Sequence, residues 1–163
     1  MTHALNHESI SFRPVAEGDK DFLLALYKSS RGDDLRKLGW DEKRIDEFLD
    51  MQYEAQQRFH ENEYKRAKGE IVLVDNKPAG QLVFENREHE IRCVDFALLP
   101  EYRGRGAGTF LIQRLQAEAR RARKPLRLQV IRFNRAVNLF ERLGFSRTSE
   151  TGTHFQMEWR GVQ

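Results

Sequence analysis

Apolar and polar positions alternate over residues 9–15, a two-residue period that predicts a strand. Residues 17–19 then offer an amino-terminal cap, and Phe22, Leu23, Leu26 and Tyr27 fall on one face of a helix. Residues 29–39 are polar and read as a loop with at most a short helical turn. Asp41 is placed to cap a long helix carrying Ile45, Phe48, Leu49, Gln52 and Phe59, ending near Lys65. A strand at 70–74, a tight turn at 75–77 and a returning strand at 79–84 come next, and a second turn at 86–88 leads into a long strand, 90–99. The pattern closes with a helix at 109–121, a strand at 126–131, a helix at 134–143, and strands near 145–149 and 153–159. There are no repeats or low-complexity stretches. This order predicts a three-layer α/β fold.

Between the strand ending at Leu99 and the helix starting at Thr109, three glycines (Gly104, Gly106 and Gly108) alternate with Arg105 and Ala107. Such a turn presents backbone N–H groups at a helix amino terminus, where the macrodipole favours negative charge, so a phosphate ligand is expected. It is not a nucleotide P-loop, because Gly108 is followed by Thr109 and Phe110 with no Lys. Nor is it a dinucleotide fingerprint: G-x-G-x-x-G fails at Thr109 counted from Gly104 and at Leu111 counted from Gly106. The pattern that fits is R-x-x-G-x-G, at Arg103, Gly106 and Gly108.

Composition narrows the class. A chain of 163 residues, 39% hydrophobic and 33% charged, suits one globular domain over 1–163. No apolar run approaches the ~20 residues of a membrane span, and residues 1–8 lack the basic flank and apolar core of a signal peptide. The single cysteine, Cys93, excludes an internal disulfide and fits the cytoplasm. The five histidines make no ligand spacing, so no metal is expected. Net charge is +3, and the basic residues Arg114, Arg120, Arg121, Arg123, Lys124 and Arg127 come after the glycine loop, a candidate rim for an anionic ligand. The cluster lacks interleaved aromatics and any nucleic-acid motif, so neither nucleic acid nor membrane is an expected partner.

The glycine loop and the segment carboxyl-terminal to it resemble the GNAT acetyltransferase superfamily. Its signature is an apolar strand, Q/R-x-x-G-x-G/A, a helix, a strand, an Asn, a short helix and an aromatic–x–x–Leu-Gly-Phe close. Here these are Phe96-Ala97-Leu98, Arg103 to Gly108, the 109–121 helix, Leu126 to Ile131, Asn134, and Phe140 to Phe145, in order over about 90–159. Residues 1–89 agree only in the order of elements. The resemblance implies a GNAT-like fold with a mixed, splayed central sheet flanked by helices. It also implies direct transfer of acetyl from acetyl-CoA, the only co-substrate expected, to a small-molecule or peptide amine, and a possible homodimer.

By the same resemblance, Gly104, Arg105, Gly106, Ala107, Gly108 and Thr109 hold the pyrophosphate, with Arg103 beside them. The backbone of Phe96, Ala97 and Leu98 pairs with the pantetheine arm as an added strand does. The Leu98 N–H donates to the thioester oxygen. Asn134 is a helix cap by its position, and the resemblance adds a hydrogen bond to the CoA arm. Phe140 stands where many relatives carry a Tyr that protonates the leaving thiolate. Two readings therefore stay open. One is an enzyme that manages without this acid, with water or the hydroxyl of Tyr102, Ser146 or Thr148 as candidates for its place. The other is a module that binds acyl-CoA and transfers nothing. Arg92 stands where some members carry a base, and Asp95 is the only carboxylate within the strand. In apolar surroundings its raised pKa suits a base; the other reading is a structural Asp bonded to backbone. Glu54, Glu88, Glu90 and His89 are further candidates for the base. Gln52 and Gln56 are candidates to line an acceptor pocket, and Cys93 for a core thiol or an acetyl carrier.

Overall fold

The computed structural model describes residues 5–161, so the first four residues of the stretch compared with a signal peptide lie outside the described part. The strands are β1 (Ile10–Pro14), β2 (Lys68–Val74), β3 (Lys77–Asn86), β4 (Ile91–Leu98), β5 (Leu126–Ile131), β6 (Ser146–Glu150) and β7 (His154–Trp159). They form one sheet in the order β1-β2-β3-β4-β5-β7-β6. All neighbours are antiparallel except β4 and β5, which run parallel across the connection through α3 (Ala107–Ala122). The helices α1 (Lys20–Lys37) and α2 (Glu42–Glu63) join β1 to β2, and α4 (Ala136–Arg142) comes after β5. This is the mixed α/β arrangement expected from the chain.

Consecutive strand residues point to opposite faces, and β4 shows which helices lie on each. Phe96 packs on the Phe140 ring of α4, with centroids 5.7 Å apart. Asp95 feels the charges of Arg31 on α1 and His60 on α2. The main core lies between the sheet and α3, whose Leu111, Ile112, Leu115 and Ala119 are fully buried at helical spacing. Tyr27, Ile45 and Leu49 form a smaller core between α1 and α2.

Two local expectations are corrected. The polar stretch 29–39 is mostly helix, because α1 runs on to Lys37 and stops before Gly39 at φ +86°. Its polar residues form charge pairs: Lys28 with Asp46 and Asp50 (3.1 and 2.9 Å), and Arg36 with Asp33 and Glu42 (2.7 and 2.6 Å). Periodicity in apolar residues cannot report a helix held by ion pairs. Of residues 17–19, Asp19 takes the amino-terminal cap position of α1, but its carboxylate turns backwards, accepting from the Ala16 N–H at 2.8 Å and taking both arms of Arg13 at 2.8 Å. By contrast, Asp41 caps α2, accepting from the Arg44 N–H at 2.8 Å.

Candidate active site

The parallel pairing of β4 with β5 covers only Ile91, Arg92 and Cys93 against Leu126, Arg127 and Leu128. Beyond Cys93 the two strands part. At that point β4 carries a bulge: Cys93 faces Phe84 on β3 and Asp95 faces Val83, leaving Val94 as the extra residue. A bulge bends its strand and re-aims the side chains after it. Residues 95–98 therefore pair with β3 alone, and the other edge of 94–98 opens on the gap. Gly80 on β3 lets the strands meet closely there, since a Cβ at Gly80 would overlap the Ala97 carbonyl oxygen.

The glycine loop stands at the carboxyl end of β4, after a short turn at Pro100–Tyr102. Gly104 and Gly106 take positive φ, +69° and +86°, where a side chain is strained. The space a Gly106 Cβ would enter is open. Gly108 differs, because its Cβ would meet Leu139 at 3.3 Å and Phe96 at 3.7 Å. Its missing side chain thus serves close packing of α3, not an opening toward a ligand. No side chain caps α3, and the Gly106 carbonyl accepts from the Phe110 N–H at 3.1 Å to start the helix. The amides of Gly106, Ala107, Gly108 and Thr109 consequently have no partner within the helix. The loop is pinned from several sides: the Leu5 N–H donates to the Arg105 carbonyl at 2.8 Å, and the His7 ring lies 4.8 Å from that of Phe110. Arg103 is part of that pinning. Its N–H donates to the Pro100 carbonyl at 3.2 Å and its Nε to the Leu98 carbonyl at 2.9 Å.

Across the gap, Asn134 lies just past β5. Its Oδ1 accepts from the Ala136 N–H at 2.8 Å, the expected cap of α4. Phe140 is only 2% exposed and packs between the rings of Phe96 and Phe145, a core residue.

Asp95 lies on the face of β4 turned to α1 and α2, within reach of the Arg31 and His60 charges. It is half-buried, yet loss of solvent is the main influence on its carboxyl and pushes its pKa up. Arg31, His60 and the Phe96 N–H pull the other way. The groups near it are mostly aromatic. Tyr27 and Tyr53 meet edge to face at 5.1 Å, the Tyr27 hydroxyl donates to Gln52 Oε1 at 3.0 Å, and His60 packs on Tyr64 at 5.6 Å. Burial holds the His60 pKa below its ordinary value, so its ring is neutral near pH 7. Tyr27, Arg31, Tyr53 and His60 are absent from the sequence-based candidates. Their one signal was the helical spacing of Arg31 from Tyr27, and Arg31 falls inside the stretch read as loop.

Several candidates lie elsewhere. Glu88, His89 and Glu90 precede β4, at the end where it is still paired with β5. Ser146 and Thr148 lie on the exposed edge strand β6, bonded to β7 carbonyls, with β7 and β5 between them and the gap. Of the three hydroxyls only Tyr102 lies beside the loop. Glu54 is exposed on α2, and Gln56 is half-buried there. Cys93 is buried, which pushes its thiol up to about 12. The basic rim does not form at the loop: Arg120, Arg121, Arg123 and Lys124 sit at the far end of α3, Arg114 is bound to Glu70 at 2.6 Å and Arg127 to Glu158 at 2.7 Å.

The family model of the acetyltransferase (GNAT) family matches residues 32–145. Among solved structures, PaiA N-acetyltransferase from Thermoplasma acidophilum, in complex with coenzyme A, is similar at a TM-score of 0.73 and 18% identity, over 94% of this chain and 99% of that one. An acetyltransferase from Thermus thermophilus is similar at 0.66 and 17%, over 98% and 99%. At such identities the likeness is one of fold. No curated protein matches the sequence.

Proposed function

The chain belongs to the GNAT acetyltransferase family, and from that premise we propose that it transfers acetyl from acetyl-CoA directly to an amine. One observation carries the reading: β4 loses its β5 partner after Cys93, and its freed carboxyl end leads through a glycine turn to an uncapped helix amino terminus. The free edge of 94–98 suits the amide-bearing pantetheine arm, as an added strand would. The amides of residues 106–109 suit the pyrophosphate, and the open space at Gly106 fits that group. Arg103 acts by holding the loop to the end of β4.

In this reading the Leu98 N–H polarises the thioester carbonyl. Asp95 takes a proton from the acceptor ammonium. The nitrogen lone pair then forms the C–N bond, the C–S bond breaks, and its electron pair leaves on the CoA sulfur. The amide nitrogen's surplus proton passes to the base or to water. A thiol has an ordinary pKa of about 8.5, so the thiolate leaves near neutrality without a strong acid, and Tyr102 is the hydroxyl available to it. A neutral His60, near enough to act on Asp95, gives the proton a way out.

Release of CoA thiol from acetyl-CoA across an amine panel tests the transfer. Turnover with any amine supports it. Acetyl-CoA binding without turnover supports the alternative of a silent module, which the phenylalanine at 140 favours. In that case Phe140→Tyr should raise turnover from nothing.

A further inference from the structure

Where α1 packs on β4, two opposite charges come near each other without meeting. Arg31 lies one turn after Tyr27 on α1, its guanidinium stacked 3.9 Å above the Tyr27 ring. Asp95 enters from β4 just past the bulge. The Arg31 charge reaches the Asp95 carboxyl, yet no direct ion pair joins them, and Arg31 makes no hydrogen bond to any described residue. A half-buried guanidinium has five donors to satisfy, and a desolvated carboxylate is costly when unpaired. The stack is braced: the Tyr27 hydroxyl is held by Gln52 at 3.0 Å and its ring edge by Tyr53 at 5.1 Å. Arg31 is therefore fixed in orientation by α1 and α2 while its donors remain unspent. The neighbouring cation Lys28 is occupied by Asp46 and Asp50.

Resting on the proposed acetyl transfer, we propose that the acceptor is an amino acid: a small molecule carrying both its amine and a carboxylate. The carboxylate takes the planar fork of Arg31, which matches it in shape. The ammonium meets Asp95 and delivers its proton there. One ligand then satisfies both groups. A diamine would set its second cation against Arg31, so polyamines are disfavoured by repulsion.

The test compares matched pairs, alanine with ethylamine and phenylalanine with phenethylamine, as acceptors in the CoA-release assay. The amino acid should exceed its amine in kcat/KM by roughly ten- to a hundredfold, the effect of hydrogen bonds to a charged group. Arg31→Gln should erase that ratio, chiefly through KM, and Arg31→Lys should restore part of it. Calorimetry of each variant with acetyl-CoA verifies the fold independently of the acceptor. An amine favoured over its amino acid, or a ratio that survives Arg31→Gln, overturns the inference while leaving acetyl transfer intact. Absence of heat with acetyl-CoA and of turnover with every amine overturns the transfer reading itself and this inference with it.

Discussion

Asp95 is held with its ionised form disfavoured by loss of solvent and only partly recovered by Arg31 and His60. That balance has consequences for rate and for stability. Asp95→Asn should lower kcat by about 10²–10⁴-fold, the usual contribution of a positioned base. The wild-type kcat/KM profile should have its rising limb above the ordinary carboxylate range, and the variant should lose that limb. The same raised pKa works against folding. A carboxyl whose folded pKa lies above its unfolded value is least harmful below the unfolded pKa, and stability falls as pH rises through the folded one. Asp95→Asn should therefore raise Tm at pH 7, and the gain should vanish in thermal scans near pH 3. Asp19 has the opposite sign. Arg13, then the Ala16 N–H, hold its pKa at about 2, so its stabilisation is present above the unfolded carboxylate value and disappears as pH falls through about 2. Cys93 carries no thiolate at neutral pH, given a pKa of about 12. Cys93→Ala should leave acetyl transfer in place, against an acetyl-cysteine intermediate.

At the scale of elements, the glycine turn and the bulged strand work as a pair. Gly106→Ala would force a side chain into φ +86°, at roughly 1–2 kcal/mol, and would put a methyl group in the space proposed for pyrophosphate. Lower Tm together with weaker acetyl-CoA binding by calorimetry is expected; loss of stability with unchanged binding would remove the loop from the site. Gly80→Ala acts from the opposite strand, because its Cβ would overlap the Ala97 oxygen. It should destabilise the fold more than Gly106→Ala does, since the obstacle is backbone that cannot turn aside. The positions of β5 and α2 come directly from their residue patterns, β5 to the residue at both ends. Much of α1 did not, because a helix stitched by Lys28, Arg36 and their carboxylates has no apolar residue between Tyr27 and Leu35 to announce it.

For the whole molecule, the sheet divides the proposed reaction between two faces, the loop and α3–α4 side for the carrier and the α1–α2 side for the acceptor. Acetyl-CoA at a hundred times its Kd should stabilise the fold by about 2.7 kcal/mol if it binds only the native state, visible as a rise in Tm that an equal concentration of free phosphate does not reproduce. The amino-acid sequence by itself determined the three-layer α/β class, the family resemblance and the glycine loop, because strand and helix periods and turn glycines are local demands written over a few neighbouring residues. Only the tertiary structure decided where the sheet opens, that Gly108 serves packing, that Ser146, Thr148 and the basic cluster stand away from the gap, and that Arg31, His60 and two tyrosines surround Asp95. Those facts arise from strand pairing and helix docking between separate elements, with Arg31 and Asp95 64 positions apart, and no pattern within one element can encode how far apart its charges will come to rest from those of another.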